Sequence, residues 1–194
     1  MHAIVIIAAY LIGSVPFGVI VACFFQIDIT KQGSGNIGAT NVLRTLGALP
    51  GILVLVLDLL KGTFAAYLGI IFLHDPLWVV LAGVFAILGH MFSIYLRFKG
   101  GKGAAVGLGV LLAITPEVFL ISAVLVILIV AITRYVSLAS MIVPIIAALL
   151  MVYLNKPLPY IISTIIVFVV MVIKHKSNIK RIISGTERKI GKNG

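Results

Sequence analysis

Charged residues, and acidic ones above all, are scarce in this sequence. Only 10% of the 194 residues are Asp, Glu, Lys or Arg, and just five are acidic, whereas 62% are hydrophobic. A water-soluble domain has about 25% charged residues, so this chain has too little polar surface to cover a soluble globule. Its hydrophobicity equally excludes intrinsic disorder. The composition therefore predicts an all-α, polytopic membrane protein.

Cysteine is almost absent as well. The single thiol, Cys23, excludes an intrachain disulfide framework and a zinc site built from several cysteines. No cluster of carboxylates is expected beside the polar loops, so we predict no bound metal ion and no cofactor.

Long uncharged runs divide the chain into segments of about 20 residues, the length that crosses a hydrocarbon core of about 30 Å. The stretch 104–132 is ambiguous, because Thr115-Pro116-Glu117 either interrupts one helix or separates two short ones. The first reading gives six spans and the second gives seven. We predict seven, near 3–27, 47–73, 77–96, 104–132 divided at Pro116, 135–154 and 158–173.

The basic residues decide between the two topologies through the positive-inside rule. With seven spans, the N-terminus outside and the C-terminus cytoplasmic, all but two of the 15 basic residues fall on the cytoplasmic side. The exceptions are Lys61 within the membrane and Lys156 outside, where Asp75 and Glu117 are also placed. Six spans would expose the basic tail outside. The net charge of +10 is then explained mostly by the orientation of the chain in the membrane, and it does not indicate binding to nucleic acid. The cytoplasmic set is Lys31, Arg44, Arg97, Lys99, Lys102, Arg134, Lys174, Lys176, Lys180, Arg181, Arg188, Lys189 and Lys192.

The first cytoplasmic loop is rich in glycine and small polar residues. Its glycines let the backbone approach a ligand closely, and successive backbone N–H groups form a nest for an anion. We expect Thr40 or Asn41 to cap the helix that follows, and Arg44 to offer its planar fork to phosphate. An ordinary turn between two spans is the alternative. The candidates for ligand contact are Ser34, Gly35, Asn36, Gly38, Thr40, Asn41 and Arg44.

A second cytoplasmic loop carries two lysines framed by glycines, directly before a helix. This arrangement suits a phosphate cradle, but it lacks the P-loop pattern G-x-x-x-x-G-K-[ST], which argues against nucleotide triphosphate hydrolysis. The alternative is a positive-inside anchor, which has no need of the glycines. His90 lies in the preceding span, where either a functional role or an interhelical hydrogen bond would account for it. The candidates are His90, Lys99, Gly100, Gly101, Lys102 and Gly103.

Two weaker polar segments accompany the last spans. Ser137 and Ser140 fall in the first turn of a helix, where capping or back-bonding accounts for one of them and anion binding is the alternative. His175, Asn178 and Arg181 are spaced to share one helix face as a polar stripe. A basic tail lying on anionic lipid is the alternative for that segment.

Asp58 and Lys61 stand three residues apart inside the second predicted span. Charges within a membrane are tolerated when they are paired. We therefore expect an ion pair that serves helix packing, with support of the polar site from below as the alternative.

Three motifs, in order and on one predicted face, are similar to those of the bacterial acyl-phosphate:glycerol-3-phosphate acyltransferases. The chain length, the number of spans and the outside N-terminus fit that family too. The resemblance therefore covers the whole chain as a single integral membrane catalytic domain, 1–194. The motifs are Ser34-Gly-Asn-Ile-Gly-Ala-Thr-Asn41 with Arg44, then Gly89-His90 with Lys99-Gly-Gly-Lys-Gly103, and finally His175-x-x-Asn178-Ile-x-Arg181 followed by Gly185-x-Glu187.

The resemblance implies transfer of a fatty acyl group from acyl phosphate to the 1-hydroxyl of glycerol 3-phosphate. The products would be lysophosphatidic acid and phosphate, formed by a monomer at the cytoplasmic face of the bacterial inner membrane. Its partners would be the two substrates and the lipid bilayer, with no nucleic acid.

Acyl phosphate is already activated, so the enzyme mainly has to position the substrates and stabilise charge. The residues expected to carry the catalysis are Ser34, Asn36, His175 and Asn178. Lys102 and Arg44 would hold the phosphates. The base is either a histidine or the acceptor's own phosphate, and we favour the phosphate because no acid is placed to polarise a histidine.

Two other classes of protein compete with this interpretation. A transporter or flippase for a small organic phosphate would need the same basic site, but the sequence shows no paired halves and no charged gate on the outer face. A membrane scaffold would not need several glycine-rich polar segments.

Overall fold

The protein is described by a computed structural model that covers residues 1–191. Lys192, one of the predicted cytoplasmic residues, lies outside the described residues. Residues 1–191 form ten α-helices and two 3-10 helices, with no strand among them, so the predicted all-α class is confirmed. The chain divides into two compact units, and the boundary between them along the sequence falls between Ile114 and Thr115. The helices are α1 (His2–Ser14), α2 (Phe17–Phe24), α3 (Ala39–Leu46), α4 (Ala48–Phe72), α5 (Pro76–Met91), α6 (Ala104–Ile114), α7 (Pro116–Thr133), α8 (Val136–Tyr153), α9 (Leu158–Lys174) and α10 (Lys176–Ile183), and the 3-10 helices are Ile29–Lys31 and Ile94–Leu96.

Several of these segments are long and apolar enough to cross a membrane. Five pass this test within residues 1–191, and a sixth is added if α9 and α10, bent by 61°, count as one span. α6 is apolar but has only 11 residues. Large apolar side chains point outward, with Phe24, Leu49 and Ile132 all more than 80% exposed. Such a surface suits lipid and not water.

The first predicted span, 3–27, is confirmed as one apolar segment over His2–Phe24, but its helix is interrupted after Ser14. α1 ends at Ser14 because Pro16 lacks an N–H group and its ring clashes with the preceding turn. The break leaves two carbonyls without helical partners, and other elements supply donors to them. The Ser93 hydroxyl donates to the Ser14 carbonyl at 2.6 Å, and the Lys61 ammonium donates to the Val15 carbonyl at 2.8 Å.

Two other boundaries bear on the predicted spans. The helical break at Thr115 is confirmed, since α6 ends before it and α7 starts with Pro116. The third span, predicted to continue to Leu96, leaves the α-helix at Met91 and continues as a short 3-10 helix. His90 consequently lies in the last turn of α5 instead of well inside it.

Within the first unit, α1 and α5 run in the same direction. The rings of His2 and Trp78 lie 4.5 Å apart at the start of both helices, and Ser14 and Ser93 meet where both end. α4 and α5 form a hairpin through the short turn 73–75. The end of α5, the break after α1 and the start of α4 therefore lie at one end of this unit, together with both glycine-rich loops.

Glycine allows α4 and α6 to approach until their backbones touch. A Cβ added to Gly62 would overlap the Val106 carbonyl, and one added to Gly109 would overlap the Leu59 carbonyl. The Thr63 hydroxyl donates across the contact to the Gly109 carbonyl at 2.9 Å. Lipid provides no hydrophobic driving force between helices, so close van der Waals packing at small residues holds such crossings together.

In the second unit, α7, α8 and α9 follow one another as antiparallel neighbours. An ion pair between Lys156 and Glu117 joins the turn after α8 to the start of α7, so these two residues lie at one end of this unit. At the opposite end the tail returns to the α7–α8 turn, where the Ile190 N–H donates to the Arg134 carbonyl at 3.0 Å.

The α4–α6 crossing should be sensitive to a single methyl group. We expect Gly109→Ala to lower the melting temperature in detergent by about 5 °C or more, because overpacking a closed contact costs about 1–3 kcal/mol. The matched control is Leu60→Ala on α4, which removes far more volume from a side chain that is half exposed toward lipid. Equal losses for the two variants would contradict a closed backbone contact at Gly109.

Candidate active site

The first glycine-rich loop is held in shape by Asn41, whose side chain is 2% exposed. The prediction that Thr40 or Asn41 caps α3 is wrong, because Gly38 is the N-cap residue and no side chain caps it. Asn41 reaches back instead. Its Oδ1 accepts from the Ser34 N–H at 2.8 Å, and its Nδ2 donates to the carbonyls of Gln32 and Ile29 at 3.0 and 3.3 Å. This amide therefore organises the loop from inside.

The rest of this loop presents polar atoms at its surface. Asn36 Oδ1 accepts from the Gly38 N–H at 2.8 Å, which closes a tight turn just before α3. Ser34 is exposed, while Thr40 and Arg44 are half-buried and four residues apart on α3, which places them on one face. Gly18 on α2 lies beneath the loop, where a Cβ would overlap the Ile37 carbonyl.

The glycines of the second loop fit around the end of α5. The Gly101 N–H donates to the His90 carbonyl at 3.0 Å, and a Cβ on Gly101 would overlap His90 Nε2. A Cβ on Gly100 would overlap the same carbonyl, and Gly103 has a positive φ of 84° against Met91. The glycines thus have a role in packing against the end of α5, in addition to the predicted contact with phosphate. Lys99 is exposed and Lys102 is half-buried.

Asp58, Lys61 and His90 form a buried polar cluster beside this second loop. The predicted ion pair is present, with Lys61 Nζ 2.7 Å from the Asp58 carboxylate and both side chains 2% exposed. His90 Nδ1 lies 3.0 Å from Lys61 Nζ, so His90 makes an interhelical hydrogen bond, one of the two roles left open by the sequence.

The second unit contains its own polar cluster, centred on Glu187. Its carboxylate accepts hydrogen bonds from Asn178 Nδ2 at 2.6 Å, Arg181 Nε at 2.7 Å and Ser137 Oγ at 2.9 Å. The sequence places Glu187 in a motif but assigns it no role. The one available signal is that it is an isolated acid in a strongly basic tail.

The predicted stripe of His175, Asn178 and Arg181 needs a correction. His175 lies at the bend between α9 and α10, outside α10, while the other two residues lie on α10 and share Glu187. His175 Nδ1 is 2.8 Å from the Met171 carbonyl, so Nδ1 carries the proton and Nε2 is the acceptor in the neutral ring.

The two serines at the start of α8 separate into different roles. Ser140 Oγ donates to the Val136 carbonyl at 2.9 Å, the back-bonding expected of one of them. Ser137, for which anion binding was the alternative, donates instead to Glu187 and joins that cluster.

Opposing effects act on the Glu187 carboxyl. Burial raises its pKa. The hydrogen bonds from Asn178, Arg181 and Ser137, together with the Arg181 charge, lower the pKa by more than burial raises it, so the net shift is downward. A carboxyl with a lowered folded-state pKa stabilises the fold above its unfolded pKa of about 4.3. That contribution is lost as the pH falls through the lower, folded-state value.

The stability gained from Glu187 should therefore depend on pH. We expect the melting temperature of the parent to exceed that of Glu187→Gln by a constant amount near neutrality, and the gap to close as the pH falls below about 4. Thr186→Ala is the control, since its exposed side chain carries no charge and its effect should be the same at every pH. A Glu187→Gln gap that does not change with pH would refute a charged role.

Comparison with known proteins places the chain in a family. The family model described as Glycerol-3-phosphate acyltransferase matches residues 3–185. Glycerol-3-phosphate acyltransferase 2 of Moorella thermoacetica is 41% identical, over 98% of each chain. Glycerol-3-phosphate acyltransferase of Desulforamulus reducens is 45% identical, over 96% of this chain and 94% of its own.

Two crystal structures of PlsY (YgiH), an integral membrane glycerol 3-phosphate acyltransferase, have the same fold at 38% identity. The glycerol 3-phosphate form superposes with a TM-score of 0.94 over 98% of this chain and 96% of its own. The lysophosphatidic acid form gives 0.91 over 98% and 95%. This chain is thus a multi-pass membrane protein, and it belongs to the glycerol-3-phosphate acyltransferase family.

Proposed function

We propose that this protein transfers a fatty acyl group from acyl phosphate to the 1-hydroxyl of glycerol 3-phosphate. The hydroxyl oxygen attacks the acyl carbon, the bond from that carbon to the phosphate oxygen breaks, and inorganic phosphate leaves as lysophosphatidic acid forms. The observation that carries this proposal is that two glycine-rich loops bearing Ser34, Lys99 and Lys102 lie at one end of the first unit, with Arg44 on the adjoining helix α3, in a chain of this family. Both substrates carry the phosphate that such loops suit.

The residues of the first unit would bind and stabilise phosphate. Arg44 and Lys102, both half-buried, would hold phosphate oxygens, with Lys99 at the exposed rim. Ser34 and Asn36 would donate to the leaving phosphate or to the oxyanion that develops on the acyl carbon. Because the loops are already braced by Asn41 and His90, these donors need little reorganisation on binding. Backbone N–H groups of Gly100 and Gly103 and the hydroxyl of Thr40 would complete the phosphate contacts. Gly35, Gly38 and Gly101, whose N–H groups already donate to Gln32, Asn36 and His90, would contribute by allowing the backbone to approach the phosphate closely.

The residues of the third motif, His175, Asn178 and Arg181, would orient glycerol 3-phosphate. Asn178 and Arg181 are held by Glu187, and His175 is held by the Met171 carbonyl. Because that partner is a carbonyl and not a carboxylate, it orients the ring but adds little basicity. We therefore assign proton removal to the acceptor's own phosphate, whose second pKa is about 6 by analogy with phosphoserine. Because the Ser140 hydroxyl already donates to the Val136 carbonyl, Ser140 would at most share this hydroxyl between that bond and the substrate.

For the membrane topology we propose seven spans, with α6 counted as a short one. The N-terminus would be outside, and the glycine-rich loops and the basic tail would face the cytoplasm, in accordance with the positive-inside rule. The chain would act as a monomer in the bacterial inner membrane, with 1–194 as one catalytic domain and the acyl chain lying between helices.

The activity can be tested on the purified protein in detergent. With acyl phosphate and glycerol 3-phosphate together we expect inorganic phosphate and lysophosphatidic acid in equal amounts. Omission of glycerol 3-phosphate should abolish lysophosphatidic acid formation, and acyl-CoA should not replace acyl phosphate. A transporter or scaffold would form no lysophosphatidic acid, so its complete absence would reject the proposal.

The identity of the base can be tested with two single variants. We expect His175→Ala and His90→Ala to keep turnover within about tenfold of the parent at saturating substrate, because general-base catalysis is worth about 10²–10⁴-fold and neither ring supplies it here. Their KM values should rise instead. Loss of turnover in both variants with substrate binding preserved would assign the proton to a histidine and exclude substrate assistance.

A further inference from the structure

Lys61 is the centre of the buried cluster in the first unit. Its ammonium lies 2.7 Å from the Asp58 carboxylate, 2.8 Å from the Val15 carbonyl and 3.0 Å from His90 Nδ1. An ammonium has three N–H donors, so these partners use all of them. Lys61 therefore joins three elements: its own helix α4, the break between α1 and α2, and the end of α5.

With Lys61 in its ammonium form, this contact assigns one tautomer to His90. The ammonium donates to Nδ1 at 3.0 Å, so Nδ1 is the acceptor and the neutral ring carries its proton on Nε2. Asp58 Oδ1 also lies 3.7 Å from Nδ1. This side of the imidazole faces the second loop, where a Cβ on Gly101 would overlap Nε2. The backbone of His90 contacts the same residue, since its carbonyl accepts from the Gly101 N–H at 3.0 Å.

We propose that Asp58, Lys61 and His90 are positioning residues for the reaction, which set the loop 99–103 against the end of α5. Lys61 fixes the His90 ring with its Nε2–H toward the loop, and Asp58 fixes Lys61. The inference rests on the proposed function, because it takes this loop as a phosphate-binding element.

The geometry goes beyond what a neutralised buried pair requires. Asp58 and Lys61 would compensate each other on α4 without any third partner. The histidine adds a rigid plane between that pair and a loop whose glycines leave no side chain to fill the gap. Removing the ring, or turning it, would leave the loop free to move away from its binding position while the reacting groups stay intact. The expected signature is a higher KM with little change in kcat.

Two substitutions of His90 distinguish positioning from stability. In His90→Gln the amide nitrogen takes the place of Nε2–H but loses the acceptor for Lys61, whereas His90→Asn keeps an acceptor near Nδ1 and loses the contact with Gly101. We expect His90→Asn to raise KM for at least one phosphate substrate by about tenfold, with kcat within about threefold of the parent. His90→Gln should restore KM to within about threefold of the parent. If the cluster serves only to satisfy Lys61, the order of the two variants is reversed, which would overturn the proposal.

A double substitution, Asp58→Asn with Lys61→Met, tests the other half of the cluster without leaving a lone charge. Removing both charges of a buried pair costs far less stability than removing one. We expect this variant to fold, as judged by its elution and melting in detergent, and to show the same rise in KM as His90→Asn. A normal KM in the folded double variant would overturn the proposal. So would failure of all three variants to fold, since the cluster would then be an element of stability alone.

The parent enzyme separates this inference from the function on which it rests. If the parent forms no lysophosphatidic acid from acyl phosphate and glycerol 3-phosphate, the proposed function fails. If the parent is active and the variants keep its KM values, only the positioning role fails.

Discussion

A backbone carbonyl that loses its helical partner within a membrane must find another donor, because no water is available to supply one. Pro16 creates this situation in the first span, where the Lys61 ammonium donates to the Val15 carbonyl. The same carbonyl also accepts from the Phe17 N–H at 3.1 Å. The ammonium places a charge inside α4, which Asp58 neutralises, and its remaining N–H contacts His90. The position of the second loop against α5 follows from the same set of contacts.

Glycine has two different uses in this chain, and they share one physical cause. At Gly62 and Gly109 the missing Cβ lets two helices touch by their backbones. At Gly100 and Gly101 it lets a loop close over the end of a helix. At Gly62, Gly109 and Gly100 the close approach is to backbone atoms, whereas Gly101 lies against the buried imidazole of His90. A loop held in this way keeps its N–H groups in fixed directions, which favours recognition of an anion.

The confirmed predictions rest on local rules, although two local features, the interruption at Pro16 and the N-cap at Gly38, were not predicted. Uncharged runs mark the spans, Pro116 marks the helix break, and the spacing of Asp58 and Lys61 indicates their pair. The roles of Asn41 and Glu187 could not be predicted in this way. Asn41 looks like a helix cap but turns back to residues 7–12 positions earlier, and Glu187 contacts Ser137 across 50 residues. Contacts of that range depend on how the helices pack, which periodicity does not encode.

The Glu187 cluster has a consequence for the order in which the molecule is completed. Glu187 follows all ten described helices in the chain, whereas Ser137 and Arg181 belong to α8 and α10. During synthesis, the carboxylate that joins α8 and α10 is therefore added after every described helix. A chain that stops short of residue 187 would have all of these helices but no shared acceptor for Ser137, Asn178 and Arg181.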